Sequence, residues 1–176
     1  LDLMEDGIKR IQKAVTNLLE YARNPNLERS DADLGTLIDK ALNLLDYQIR
    51  KNQIKIERDI PKTIPSVKVD WNQMGQVFVN IFLNAIQAMQ EGGILKVALK
   101  TNDDRLKVTI SDTGKGIREE DLSKVFDPFF TTKGEDGGTG LGLWISQGVI
   151  ERHSGTIQVK SREKEGTTVE IQLPVI

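Results

Sequence analysis

The amino-acid sequence predicts an α+β fold: a two-layer α/β sandwich whose mostly antiparallel mixed sheet carries helices on one face, preceded by one long bundle-type helix. Three observations support this prediction. Strand patterns cluster late in the chain and form hairpins. Apolar helical patterns lie before and between these strands. A regular apolar seam marks the start of the chain as a separate helix.

The composition excludes several kinds of functional site. The 176 residues include no Cys and a single His, His153. A disulfide, a thiol nucleophile and a metal site built from several His residues of one chain are therefore excluded. A formal net charge of -2 argues against nucleic acid as the main partner, because nucleic acid selects a basic face. No apolar run reaches the about 20 residues that a membrane span requires.

The first segment has the spacing of a helix that packs against another helix. Its apolar residues alternate steps of three and four, as in a coiled coil or bundle: Leu1, Met4, Ile8, Ile11, Val15, Leu18 and Ala22. This stripe requires a partner, either the chain's own core or, as we favour, a helix outside this chain. We therefore expect an excised piece of a longer protein, with a bundle-type helix over 1–24 and a linker over 25–30, where Asn24-Pro25-Asn26 breaks the helix.

Residues 31–176 form the predicted main domain, and local patterns give its elements. Apolar steps of three and four predict helices, and alternation of apolar and polar residues predicts strands. The expected elements are a helix capped by Ser30 or Asp31 with a buried stripe from Leu34 to Ile49, strands over 54–60 and 67–69, a helix capped by Asp70 that stops at Gly92-Gly93, strands over 94–101 and 106–112, a helix over 141–153, and a hairpin over 156–161 and 167–173.

Two asparagines lie four residues apart on the most apolar of these helices. Asn80 and Asn84 therefore share one helical face. A neutral amide offers Mg²⁺ a hard oxygen and leaves charge neutralisation to the ligand, which suits a metal carried by nucleotide phosphates. Alternatively, both residues are ordinary exposed polar positions.

A carboxylate ends the strand over 106–112. Asp112 has the same parity as the apolar row of that strand and is expected to point inward, where it needs a donor such as an exocyclic amine. Gly114 and Gly116 would allow a flat ligand to approach the backbone closely. The alternative is a common strand-ending turn in which Asp112 caps the backbone.

A glycine-rich turn opens the last helix. Glycines at 137, 138, 140 and 142 free successive N–H groups at the positive end of the helix dipole, which favours a phosphate. The alternative is a flexible linker, although Gly142 lies inside the helix, where a linker would not place it. We favour a phosphate-facing loop.

An aromatic cluster precedes this turn, at Phe126-Asp127-Pro128-Phe129-Phe130. A loop of this length is unusual inside a compact domain, so the segment is interpreted as a mobile lid with an aromatic anchor. Lys133 could then reach a terminal phosphate. Ordinary core filling explains the phenylalanines equally well.

Taken together, four motifs in this order resemble the N, G1, F and G2 boxes of sensor histidine kinases, within the gyrase, Hsp90, histidine kinase and mismatch-repair ATPase superfamily. They are Asn80-x-x-x-Asn84-Ala85, Asp112-x-Gly114-x-Gly116, Phe126-x-Pro128-Phe129-Phe130 and Gly138-Thr139-Gly140-Leu141-Gly142-Leu143. Asn-Ala-Ile-Gln-Ala-Met and Phe-Phe-Thr-Thr-Lys resemble the nitrogen-regulation type. The match covers about residues 31–176.

The resemblance implies ATP and Mg²⁺ as ligands, bound by a catalytic domain in the cytoplasm, whether or not the parent protein is membrane-anchored. It implies Asn84 as the Mg²⁺ ligand, and Asn80 and Lys133 as catalytic contacts to phosphate or metal. For the base, it implies Asp112 at the adenine amine, Gly114 and Gly116 at the adenine pocket, and Thr167 near adenine. For the phosphates, it implies Gly138, Thr139, Gly140, Leu141 and Gly142. Gln87 departs from the pattern, because many members carry Lys there.

The resemblance also implies two partners: the dimerisation and phosphotransfer helices of the same protein, as a homodimer, and a response-regulator receiver domain. Leu18-Leu19-Glu20-Tyr21-Ala22-Arg23 looks like the end of the second hairpin helix, so the helix with the phosphoacceptor His is missing. His153 does not replace that residue, because it stands where the last helix ends.

Three functions compete at this point. The first is phosphoryl transfer from Mg·ATP to a His on a neighbouring domain. The second is ATP hydrolysis that drives a clamp; such relatives carry a Glu base where this chain has Asn80, and an amide cannot accept a proton at neutral pH. The third is a nucleotide-sensing scaffold or a serine kinase of the anti-sigma type. The sequence favours the first.

Overall fold

The computed structural model of this chain describes Val15 and residues 27–102, 104–132 and 138–175. The elements follow in the order β1 (Arg29–Ala32), α1 (Leu34–Leu44), α2 (Asp46–Lys51), β2 (Ile54–Asp59), β3 (Val67–Asp70), α3 (Trp71–Ala88), β4 (Gly93–Asn102), β5 (Arg105–Asp112), α4 (Glu119–Leu122), α5 (Gly142–Arg152), β6 (Thr156–Arg162) and β7 (Gly166–Pro174). Apart from Val15, the predicted hairpin helix over 1–24 lies outside the described residues and stays a prediction.

The main sheet has five strands in the order β2-β4-β5-β7-β6. Only the β2–β4 pair is parallel, and the other three pairs are antiparallel. The helices lie on one face of this sheet and share one apolar core with it. The predicted α+β sandwich with a mostly antiparallel mixed sheet is confirmed. None of the described helices combines the length and the apolar composition that crossing a bilayer requires.

Helix α3 is the central helix of the helical layer. As predicted, Asp70 caps it: the Oδ1 atom of Asp70 accepts the N–H groups of Asn72 and Gln73 at 3.0 and 3.1 Å. The helix buries one apolar stripe: Met74, Val77, Phe78, Ile81, Phe82, Ala85 and Ile86. Burial of this stripe fixes the rotation of α3, and its less buried side carries the two predicted asparagines.

The prediction that Ser30 or Asp31 caps the first helix of the domain is wrong. Asp33 caps α1, and its Oδ1 atom accepts the Gly35 N–H at 2.8 Å. The earlier residues instead form β1, which pairs antiparallel with β3 in a separate two-stranded sheet. Strand pairing with a distant segment therefore overrides local capping propensity. The predicted stripe to Ile49 is also divided, because the backbone leaves helical geometry at Leu45.

Candidate functional site

A cavity of about 240 Å³ lies between α3, the end of β5 and the glycine-rich segment before α5. One end of its wall, here called the acidic end, is formed by Asp112, Gly116, Ile117, Thr167 and Val169. The other end, here called the amide end, is formed by Asn80, Asn84, Gly138, Thr139, Gly140 and Gly142. Residues that lie as far apart in the sequence as 80 and 167 therefore meet in one cavity.

At the acidic end, Asp112 continues the inward row of β5 and reaches the cavity. Its Oδ1 atom accepts the Gly114 N–H at 2.8 Å and the Thr167 N–H at 3.3 Å. Both readings of the sequence therefore apply, because the same carboxyl group caps the turn and lines the cavity. Burial raises the pKa of Asp112 above its ordinary value, and the two N–H donors only partly offset this effect.

The glycines that follow Asp112 are required by the protein's own packing. A Cβ atom at Gly114 would lie 2.6 Å from the Ala88 carbonyl oxygen, and one at Gly116 would lie 2.0 Å from that of Arg162. Gly116 also has a φ of +66°, which favours glycine. Gly116 lines the cavity as predicted, but Gly114 lies outside the wall. Its contribution is the N–H group that holds Asp112.

At the amide end, Asn80 and Asn84 both line the cavity from α3. The Nδ2 group of Asn80 donates to the Gly142 carbonyl at 3.4 Å, and the Ser146 hydroxyl donates to the same oxygen at 2.8 Å. This shared acceptor joins α3 to the first turn of α5. Helix α5 begins there without a side-chain cap, so no capping side chain competes for the N–H groups of its first turn.

The glycine-rich segment divides between wall and core. Gly138, Thr139 and Gly140 line the cavity, whereas the Leu141 side chain is fully buried and anchors the segment from behind. Leu141 itself is not part of the cavity wall. Lys133 and Gly137 lie outside the described residues, so the predicted contact of Lys133 with a phosphate stays a prediction.

The aromatic segment serves two purposes. Phe130 lines the cavity together with Thr131 and Thr132, whereas Phe129 is 62% exposed and has a φ of +67°. The backbone of Phe129 packs against Gly140, where a Cβ atom would lie 2.4 Å from the Phe129 carbonyl carbon. None of Phe126, Phe129 and Phe130 belongs to the buried core, so core filling does not explain them, and the mobile lid stays a prediction. Gly140 is needed for the contact between the two segments.

Sequence reasoning gave no site role to several residues of the cavity wall. Among them are Gln87, Lys115, Val125, Thr131, Thr132 and Val159. Gln87 lies one turn from Asn84 on the same helix, which is a signal that spacing alone supplies. Val159 required knowledge of the strand pairing, because its position opposite Val169 depends on the β6–β7 register.

His153 lies at the C-terminal end of α5, as predicted, and is 2% exposed. Its Nδ1–H group donates to the Val149 carbonyl at 2.7 Å, and its Nε2 atom accepts the Asp70 N–H at 2.8 Å. Burial lowers the pKa of His153, which favours the neutral ring. Both ring nitrogens are therefore engaged in packing α5 against the start of α3.

The donor set limits how a cation could be held in the cavity. No group of three or more His, Cys, Asp or Glu side chains that could hold a metal occurs within the described parts of the chain. The cavity instead offers the amide groups of Asn80 and Asn84. These residues fit a hard cation whose remaining oxygen ligands come from a bound anion.

Comparison with known proteins was made on sequence and on structure. The sequence model of the family described as "Histidine kinase-, DNA gyrase B-, and HSP90-like ATPase" matches residues 69–176. The chain is 37% identical over 173 residues to the sensor histidine kinase ZraS of Escherichia coli strain K12. That match covers 98% of this chain and 37% of ZraS, so the chain spans little more than a third of this relative.

Solved structures give the same picture. The catalytic domain of histidine kinase ThkA superposes with a TM-score of 0.76 at 32% identity, over 84% of this chain and 96% of that domain. ThkA in complex with the response regulator protein TrrA superposes with a TM-score of 0.81 at 27% identity. This second match covers 99% of this chain and 50% of that chain.

Proposed function

Because the chain belongs to the histidine kinase-, DNA gyrase B- and HSP90-like ATPase family and carries the catalytic ATP-binding domain of the sensor histidine kinases, we propose that it binds Mg·ATP in this cavity in the cytoplasm. The γ-phosphoryl group then passes to a His on the dimerisation and phosphotransfer hairpin of the same protein. From that His it passes to an Asp of a response-regulator receiver domain.

A single observation carries this proposal: one cavity is lined by a carboxylate and by two amides beside a helix N-terminus that has no side-chain cap. Asp112 would accept a hydrogen bond from the 6-amino group of adenine, and Thr167 would lie beside that amino group. The triphosphate would extend toward the N–H groups of the glycine-rich segment, which suit an anion. The cavity therefore supplies complementary groups for both ends of a nucleotide.

Asn84 would hold Mg²⁺ through its amide oxygen, and Asn80 would contact the metal or a phosphate oxygen. When bound, Mg²⁺ neutralises charge on the phosphate oxygens. The chain's own residues contribute positioning: Asn80 is oriented by its bond to Gly142, which ties it to the first turn of α5. Lys133 would add a cation at the terminal phosphate.

Phosphoryl transfer is favoured over hydrolysis because of the residue at position 80. Hydrolysis needs a base that takes a proton from water, and the amide of Asn80 cannot do this at neutral pH. In the transfer reaction a neutral His nitrogen attacks the γ-phosphorus, and the bond from that phosphorus to the bridging oxygen of ADP breaks. The nucleophile is supplied by the hairpin, so the cavity needs no base for water.

Radioactive label distinguishes these functions. The 176-residue chain is incubated with Mg²⁺, ATP labelled at the γ-phosphate and a separately produced hairpin domain of a sensor histidine kinase that carries its phosphoacceptor His. We expect label on the hairpin and none on the chain itself. A hairpin whose phosphoacceptor His is replaced by Gln is the matched control and should stay unlabelled.

The other outcomes contradict the proposal. Saturable nucleotide binding without label on the hairpin would favour a nucleotide-sensing scaffold. Release of inorganic phosphate at a rate that does not depend on the hairpin would favour a clamp ATPase.

A further inference from the structure

We propose that Ser161 determines the base specificity of this site, because it fixes the direction of the hydrogen bond of the Thr167 hydroxyl. This inference rests on the proposed function, since it concerns which edge of a purine base binds at the acidic end of the cavity. Ser161 does not line the cavity, so it would act as a positioning residue through Thr167.

Three neighbouring strands bring the residues into one row of the sheet. Asp112 on β5 pairs with Thr167 on β7, and Thr167 pairs with Ser161 on β6. Residues that face each other across antiparallel strands project from the same face of the sheet. The row therefore leads from the cavity wall to a residue behind it.

The hydroxyl of Ser161 has a complete set of hydrogen-bond partners. Its proton goes to the Gly166 carbonyl at 2.7 Å, because a carbonyl oxygen can only accept. Its oxygen accepts the Ile117 N–H at 2.9 Å. A third contact, 2.9 Å long, joins it to the Oγ1 atom of Thr167. Since the one proton of Ser161 is already donated, Thr167 must be the donor in this contact.

The Thr167 hydroxyl therefore has no proton left to donate to a ligand. At the cavity wall it can act only as a hydrogen-bond acceptor. Asp112 offers an acceptor there as well, because the described donors to its carboxylate, Gly114 and Thr167, both bond to Oδ1. Two neighbouring acceptors fit an exocyclic amino group, which has two N–H bonds. They oppose a 6-oxo group, which is itself an acceptor. This polarity selects adenine over a 6-oxo purine.

The test compares the affinities of ATP and inosine triphosphate, whose bases differ at position 6 and at the adjoining ring nitrogen. Both affinities are measured by calorimetry with Mg²⁺ on the 176-residue chain. Ser161→Ala frees the Thr167 hydroxyl to donate to a 6-oxo group. We expect the preference for ATP to fall by about threefold to tenfold, the equivalent of one neutral hydrogen bond. Ser161→Thr keeps a hydroxyl and should keep the preference.

Two further variants separate specificity from general damage. Ser111→Ala removes a similar hydroxyl contact, the 2.9 Å pair of Ser111 and Thr168, which lies outside the cavity wall, and should leave the preference unchanged. In a Thr167→Val background, Ser161→Ala should cause no further change, because the hydroxyl through which it acts is already absent.

Each remaining outcome overturns the inference in a distinguishable way. If Ser161→Ala weakens both nucleotides equally, Ser161 only supports the fold, and the proposed function is unaffected. If Ser161→Ala still changes the preference in the Thr167→Val background, Thr167 is not the intermediary. If the unaltered chain binds neither nucleotide saturably, the proposed function fails together with the inference.

Discussion

The acidic and amide ends of the cavity differ in how far the protein itself satisfies their polar groups. At the acidic end, Asp112 accepts two backbone N–H groups and Ser161 uses all its hydrogen-bonding capacity inside the sheet. At the amide end, Asn80 makes one long bond of 3.4 Å, and α5 begins without a side-chain cap. The acidic end is held by strand pairing, whereas at the amide end a long side-chain bond joins α3 to α5.

The glycines show the same difference. Gly116 at the acidic end has a positive φ and a neighbouring carbonyl oxygen where a Cβ atom would lie. At the amide end, the Cβ position of Gly138 has no atom of the described residues within 4 Å, although Gly140 at the same end meets the Phe129 backbone as closely. A pocket that must recognise one flat edge benefits from a rigid frame. A site for group transfer needs polar groups that can contact the transferred group.

The largest effect is expected at the amide end, from Asn84→Ala. Loss of the amide oxygen should remove the Mg²⁺ dependence of nucleotide affinity and slow phosphoryl transfer by at least about a hundredfold. Calorimetry with and without Mg²⁺ measures the first effect, and label transfer to the hairpin measures the second. Asn72→Ala, at an exposed position of the same helix, is the control. Unchanged Mg²⁺-dependent affinity in Asn84→Ala would remove Asn84 as the ligand.

A smaller effect is expected at the acidic end, from Asp112→Asn. The amide oxygen can still accept the bonds of Gly114 and Thr167, but an NH₂ donor then faces the cavity. ATP affinity should fall by about tenfold to a hundredfold, the loss of a charge-assisted hydrogen bond, and inosine triphosphate should gain relative to ATP. Asp59→Asn, on an exposed part of β2, should change neither affinity. An unaltered ATP preference in Asp112→Asn would contradict the assigned role.

The glycine contrast predicts unequal stability losses. Gly116→Ala should lower the free energy of unfolding by about 1–3 kcal/mol, because alanine is strained at this positive φ and its Cβ atom would meet the Arg162 carbonyl. Gly138→Ala should change that free energy by less than about 0.5 kcal/mol. Urea unfolding of both variants measures the difference. Equal losses would contradict the steric constraint inferred at Gly116.

The smallest effect concerns the far end of α5, where His153 packs the helix against α3. Its pKa is lowered in the folded state, so below the ordinary value of about 6.5 the unfolded chain binds the proton more readily. The stabilising contribution of neutral His153 is thus present above that value and is lost as the pH falls below it, by at most about 1.4 kcal/mol per pH unit.

Urea unfolding between pH 8 and 5 measures this loss, with His153→Gln as the comparison. Gln can still accept the Asp70 N–H but does not titrate, so the difference in stability between the two proteins should shrink as the pH falls. A difference that stays constant with pH would show that the pKa of His153 is the same in the folded and the unfolded chain.

Local physics made much of the fold predictable. The apolar stripe and the Asp70 cap of α3 are properties of consecutive residues, and so is the alternation of β5 that directs Asp112 inward. The four-residue spacing of Asn80 and Asn84 likewise placed both on one side of a helix. Each of these features depends on 3.6-residue or two-residue periodicity, which a sequence displays directly.

Long-range pairing made the rest unpredictable. Asp33 rather than Ser30 or Asp31 caps α1 because the earlier residues pair with β3, which follows two helices and a strand further along the chain. Gly114 and Gly116 are also needed because a Cβ atom at either position would overlap the backbone of Ala88 or Arg162, which the sequence did not predict. The sequence contains no local sign of which backbone will lie against a glycine.

By itself, the sequence determined the α+β class, the boundaries of most strands and helices within a few residues, and the identity of the family, because four short motifs survive in order along the chain. Tertiary structure alone decided that a carboxylate and two amides share one cavity and that Ser161 lies behind Thr167. The physical reason is that hydrogen-bond direction and close approach depend on strand register, which forms only when distant segments meet.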